Sequence, residues 1–197
     1  VSVPWSGTAV AHGSVADPVS RGCDCRLRRG SDFQNPAMAH EDPLCRQAWQ
    51  DNPNAMRNWN GLYRNGSAGD SEAVIPDGRL CSGGRTEGGR STSMDTAGAW
   101  RTTDVDSDLT VRLHDRASHG ADSFLVYVTR QGSDPTTQPL TWNDLEPVAT
   151  TGSYGPGRNH SIPVSTSGCG GRHVVHTIRQ ASPMDRTYFP CSDVDFG

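Results

Sequence analysis

The chain has 197 residues and a formal net charge of −4, and its 18 basic residues are all Arg. That length suits one domain or at most two small ones, and no apolar run approaches the roughly 18 residues of a membrane-spanning helix. Net acidity without a basic patch argues against a nucleic-acid-binding protein, the absence of long like-charge blocks excludes a charged disordered tail, and 22 Gly with 13 Pro favours short strands and long loops.

Residues 1–11 are uncharged, small and rich in breakers. Ala9-Val10-Ala11 is the small-x-small pattern that precedes a signal-peptidase cut, so 1–11 reads as the tail of an export signal and 12–197 as the folded domain. An ordinary N-terminal extension is the alternative. A short strand is expected from Ser14 to about Ser20. Residues 21 to about 100 show little strand periodicity and abound in Asn, Gly, Pro and Arg. They predict one long, irregular insertion with two short helices. One runs from Asp42 to Gln50, with Asp42 as cap and Pro43 at the first helical position. The other runs from Asn54 to Tyr63. Loops this long are usually functional or disordered, and Cys45, Cys81, Trp49, Trp59 and Tyr63 argue for order.

After residue 100 the pattern changes. Leu109, Val111 and Leu113 alternate with Thr110, Arg112 and His114, as in a half-buried strand. Phe124 to Val128 is a continuous apolar run. Ser161 to Val164, His173 to Ile178 and Tyr188 to Phe196 supply three more strands, with Gly- and Pro-rich turns between them. The fold class is therefore all-β, a β-sandwich, with a partly helical insertion over about 21–100.

There is no G-x-S-x-G, P-loop or G-x-G-x-x-G, so hydrolase and nucleotide-binding readings lack support. The cysteines (Cys23, Cys25, Cys45, Cys81, Cys169 and Cys191) are even in number and contain no C-x-x-C. Disulfides formed in an oxidising compartment account for them better than a soft metal on Cys23 and Cys25. Among the histidines, His114 reads as an outward-facing strand residue, and His173 and His176 as structural. His119 differs, because it lies in Ala117 to Asp122, a loop between two strands, where sites tend to be built. A cut after Ala11 would make His12 the N-terminus. Its α-amine, with an unperturbed pKa of about 7.7–8.0, and its ring Nδ1 would then chelate one metal, with a third nitrogen from His119. Nitrogen donors of this kind suit copper.

His12-Gly-Ser-Val-Ala-Asp-Pro-Val-Ser-Arg21 resembles the mature start of the bacterial lytic polysaccharide monooxygenases, auxiliary activity family 10. Ala117-Ser-His119 followed by Phe124 to Thr129, Pro76 to Ser82, and Tyr188 to Phe196 are similar to three further stretches of that family. The likeness runs from His12 to Gly197 and is strongest to actinobacterial members active on cellulose and chitin. It implies an immunoglobulin- or fibronectin III-like sandwich whose catalytic centre comprises His12, His119 and Phe189. His12 and His119 would hold one copper ion in a histidine brace, Phe189 would fill one axial side, and Ala117 would shape the other. The resemblance also implies an external electron donor, O2 or H2O2 as co-substrate, and oxidation at C1 or C4 of β-1,4 glycosidic bonds in crystalline cellulose or chitin. The protein would be a secreted, extracellular monomer that binds neither nucleic acid nor membrane.

In the same resemblance, the loop from Asn54 to Tyr63 matches a flat polysaccharide-binding face. Trp59 and Tyr63 would stack on sugar rings or pack the loop against the sandwich, and Arg57, Asn58 and Asn60 would hydrogen-bond hydroxyls. The family pairs Cys25 with Cys45 and Cys81 with Cys191, which leaves Cys23 and Cys169 as a third bridge or as two free thiols. Arg57 and Arg179 stand where relatives commonly carry aromatic residues, and Arg26 and Arg46 look like similar replacements. A guanidinium does not replace an indole in packing. Two other readings stay open: a non-catalytic polysaccharide-binding module, and a secreted copper carrier using the same histidines.

Overall fold

The computed structural model describes residues 13–67, 69–182 and 184–197. The expected export remnant 1–11 and His12 lie outside the described residues. In chain order the strands are β1 (Gly13–Asp17), β2 (Tyr63–Asn65), β3 (Thr103–Asp104), β4 (Asp108–Asp115), β5 (Gly120–Thr129), β6 (Leu145–Thr150), β7 (Asn159–Ser165), β8 (Arg172–Ser182), β9 (Arg186–Tyr188) and β10 (Cys191–Asp195). They form two sheets. The smaller is antiparallel, in the order β1-β4-β7. The larger runs β2-β9-β8-β10-β3, with β5 pairing β8 and β6 pairing β5.

β8 is the central strand, and it is buried along nearly its whole length. Its two faces meet different partners, as the period of two dictates. Val175 joins Val15, Val111, Leu113, Phe124 and Ile162 in the core between the sheets. Val174 and Ile178 face the insertion, where they pack against Trp49, Ile75, Leu80 and Trp100. The architecture is thus a sandwich whose larger sheet is covered a second time by the insertion.

The insertion carries α1 (Arg21–Arg29), α2 (Met38–Glu41), α3 (Pro43–Asp51), α4 (Pro53–Arg57) and α5 (Ser71–Val74). α3 is the first expected helix. Asp42 is its N-cap residue by position, but its carboxylate accepts from Arg28 at 2.6 Å instead of capping the helix. The second expected helix is shorter than the sequence suggested. α4 ends at Arg57, and Asn52 caps its start by accepting from the Ala55 N–H at 2.9 Å. Tyr63, expected to close that helix, instead opens β2 and pairs with Tyr188.

Three further differences follow. α1 was not expected from a segment holding four Arg, and long-range contacts hold it. The Arg21 guanidinium makes a two-pronged contact with Asp193, at 2.7 and 3.0 Å, and donates to the Met94 carbonyl at 2.7 Å. The single strand expected over Tyr188 to Phe196 is two, broken at Phe189-Pro190. β6, with Pro147 inside it, is not among the expected strands; it pairs only with β5, at the edge of the sheet, where a missing N–H is tolerated.

Two disulfides are formed. Cys25–Cys45 ties α1 to α3, and Cys81–Cys191 ties the insertion to β10. Cys23 and Cys169 are free thiols, so a third bridge between them is not made. Cys23 is buried in α1, whereas Cys169 sits in the turn before β8, beside Thr166. Among the described residues no helix is long and apolar enough to cross a membrane.

Candidate metal centre

Residues 116–119 join β4 to β5. The alternation that buries Val111 and Leu113 also carries Asp115 inward, at 0% exposure. A buried carboxylate needs partners, and Asp115 has three. The Ala117 N–H donates to Oδ1 at 2.8 Å, the His119 N–H donates to Oδ2 at 3.1 Å, and Arg179 Nη2 donates to Oδ2 at 2.5 Å. Between the two backbone donors, Ser118 takes a φ of +58°. That left-handed conformation is uncommon for a residue with a Cβ, and the two bonds to one carboxylate hold it.

The other side of His119 is held as well. Its carbonyl accepts from Arg179 Nη2 at 3.1 Å and from His160 Nε2 at 3.0 Å. Both polar backbone atoms of His119 are therefore fixed. Its side chain is 17% exposed, and Nδ1 lies 3.9 Å from Asp115 Oδ2. This ring nitrogen is buried and has no hydrogen-bond partner among the described residues.

Arg179 was expected to be a poor stand-in for an aromatic residue. Instead it is fully buried. β8 turns it toward the small sheet, where Asp115 neutralises it and the carbonyls of His119 and Gly120 accept from Nη2. Its guanidinium also lies 5.5 Å from the Tyr188 ring centre. Nε and Nη1 have no partner among the described residues. Nη1 sits against Gly13, where a Cβ would come within 2.5 Å of it. Gly13 is in turn the register partner of Asp115.

A partly exposed imidazole on a loop pinned at both backbone atoms, with Nδ1 turned toward Asp115, fits a metal bound by nitrogen donors through its other ring nitrogen. Asp115 is committed to three donors and does not compete for such an ion. Among the described residues no three His, Cys, Asp or Glu side chains converge on a metal position. A metal centre at His119 would need further donors from outside the described residues.

Other expected site residues are placed as follows. Ala117 is half-buried, fixed by its bond to Asp115. Phe189 is fully buried on the insertion side of the large sheet. Its ring is stacked on His176, with centroids 6.4 Å apart, and a Cβ at Gly83 would meet it at 3.1 Å. His176 is also fully buried, and burial pushes its pKa down to about 4. His173 is enclosed between Thr129 and Gln131.

In the expected polysaccharide-binding segment, Arg57 is exposed and donates to Asn54 at 3.4 Å. Asn58 folds back over Gly61. Trp59 is half-buried, with its backbone and Cβ near Gly22. Tyr63 is half-buried, packed against Tyr188 at 5.9 Å and under the Arg186 guanidinium at 4.6 Å. Asn60 is only 6% exposed, so it stands behind the surface rather than on it.

Sequence reasoning missed Asp115 and His160, and it saw Arg179 only as a departure. The signal for Asp115 was present, since it continues the inward series Val111, Leu113. Nothing comparable announced its partner, which lies 64 residues away.

A family model described as lytic polysaccharide mono-oxygenase, cellulose-degrading, matches residues 12–194. Among curated proteins, the chitin-binding protein CbpD of Pseudomonas aeruginosa is 30% identical over 200 residues, covering 95% of this chain and 48% of CbpD. The chain thus spans about half the length of the curated relatives it matches. Among solved structures, ScLPMO10B in complex with zinc is similar with a TM-score of 0.92 and 72% identity, over 94% of this chain and 100% of the other. A lytic polysaccharide monooxygenase from Kitasatospora papulosa gives a TM-score of 0.93 and 67% identity, over 94% and 98% of the two chains.

Proposed function

This chain belongs to the family 10 lytic polysaccharide monooxygenases, and on that premise we propose that it is a secreted, copper-dependent enzyme oxidising C1 and/or C4 of β-1,4 linkages in crystalline polysaccharide. The observation that carries the reading is the His119 loop, a partly exposed imidazole held by a buried carboxylate and a buried guanidinium. Cellulose and chitin are both in view, the first from the matching family's description and the second from the relative CbpD.

A free His12 amine, the His12 ring and the His119 ring would hold the ion. Copper so bound supplies one-electron chemistry with O2 or H2O2, fed by an external donor. The protein's own part is positional. Asp115 and Arg179 hold the His119 backbone, so the imidazole needs little reorganisation when the ion arrives. Neither Ala117 nor Phe189 would offer a donor atom: the small side chain of Ala117 would leave room for a co-substrate beside His119, and the apolar Phe189 ring would exclude a further ligand. Arg57, Asn58, Trp59 and Tyr63 would meet the polysaccharide, with Arg57 the most exposed of the four. Polar groups there suit a hydroxyl-covered crystal face, where hydrogen bonds are exchanged for those of water.

Mass spectrometry of soluble products tests this. A copper-loaded chain beginning at His12, given a reductant and crystalline cellulose or chitin, is expected to release oxidised oligosaccharides, and His119→Ala is expected to release none. If neither polysaccharide yields oxidised products, the enzyme reading is wrong. Binding that persists unchanged without copper would then identify a non-catalytic module.

A further inference from the structure

We infer that Arg179 is a positioning residue that sets the spacing between the two ligand-bearing segments, the backbone at Gly13 and the His119 loop. The inference rests on the reading that His12 and His119 hold the metal, and it assigns the residue that keeps them in register.

One guanidinium touches both segments. On one side, Nη2 donates to Asp115 and to the carbonyls of His119 and Gly120, at 2.5, 3.1 and 3.0 Å. On the other, Nη1 lies beside Gly13, where a Cβ would come within 2.5 Å of it. Gly13 and Asp115 are paired across β1 and β4, so the same carboxylate that anchors Arg179 lies beside the residue that follows His12. The guanidinium is planar, and its nitrogens are held at fixed separations. It therefore acts as a rigid spacer, and the Tyr188 ring 5.5 Å away adds a third wall. Nη1 and Nε make no hydrogen bond with any described residue. A guanidinium kept there for hydrogen bonding alone would leave fewer donors unused, whereas contact with Gly13 needs only the atom's bulk.

Lys at this position separates the two roles. Its ammonium can still reach Asp115, but it has no planar fork to lie against Gly13 while bonding the His119 carbonyl. Groups that orient metal ligands from behind typically change metal affinity by about 10–100-fold when altered.

The test compares Arg179→Lys with the parent, both released at His12. Folding is checked by circular dichroism, Cu(II) affinity by titration, the ligand field by EPR, and amide exchange at Ala117 and His119 by NMR on the metal-free proteins. A native fold with roughly tenfold or greater loss of affinity, an altered Cu(II) spectrum and faster exchange at both amides supports the inference. Gly13→Ala, which presses on the spacer from the other side, is the second variant and is expected to shift the same spectrum. Should Arg179→Lys not fold, Gly13→Ala decides alone. A folded variant with parental affinity, spectrum and exchange overturns the inference and leaves the metal reading standing. A parent that binds no copper removes the metal reading, and this inference with it.

Discussion

At the scale of single residues, the site is organised by charges the chain has buried in pairs. Asp115 and Arg179 are both at 0% exposure, and each would be a costly isolated charge without the other. His176 shows the opposite solution, in which a buried titratable group stays neutral. It is enclosed by Phe189, Trp142 and Cys191, and burial lowers its pKa from the usual 6.5 to about 4. Between those values the unfolded chain takes up a proton that the folded chain refuses. Stability from this group is therefore complete above about pH 6.5 and falls as the pH drops to about 4, by about 3 kcal/mol in all, with no further loss from it below that. Urea unfolding at a series of pH values should show this slope, and His176→Gln should flatten it. An unchanged slope in the variant would place the acid sensitivity elsewhere. His119 was legible in the sequence because a histidine in a short loop between two well-patterned strands stands out. The Asp115–Arg179 pair was not, because its partners stand on β4 and β8 and meet only where the two sheets pack face to face.

At the scale of elements, legibility followed the source of each element's stability. Strands β4 and β7 are legible from their alternation and β5 from its continuous apolar run over 124–128, although β5 starts earlier, at Gly120. α3 announced itself through Pro43 at its start. α1 did not, since its order comes from Arg21 bonding Asp193, 172 residues away, and from the Cys25–Cys45 bridge. α4 is shorter than the expected 54–63, since Asn58, Asn60 and Gly61 are poor helix formers and the chain turns there with Asn58 folded over Gly61. α4 carries Arg57, which belongs to the proposed polysaccharide face, so its cap has a functional side. Asn52→Ala removes the side-chain acceptor for the Ala55 N–H and is expected to cost about 1 kcal/mol. Chemical denaturation would measure that cost, and a pull-down on insoluble polysaccharide should show weakened binding. Unchanged stability would mean the cap contributes nothing to holding the segment.

At the scale of the whole molecule, the fold works as a frame with two covered faces. The small sheet closes one face of the large sheet around Val175, and the insertion closes the other around Val174 and Ile178. Cys81–Cys191 locks the second closure across 110 residues, a span that stabilises by roughly 4–5 kcal/mol in the chain-entropy account. The sandwich class was readable from strand spacing and Gly- and Pro-rich turns. The sheet order was not, since alternation reports which side of a strand is buried but not which strand lies beside it. The frame places the Gly13 backbone next to Asp115, and through Asp115 and Arg179 next to the His119 loop. The central claim is that these two segments together hold one copper ion through a free His12 amine, the His12 ring and the His119 ring. A Cu(II) titration followed by EPR, run side by side on the chain beginning at His12, the chain beginning at Val1 and His119→Ala, tests it most directly. The first should bind one ion tightly with a three-nitrogen signature, and the other two should bind far more weakly and without it. Equal affinity and the same spectrum in all three would contradict the claim.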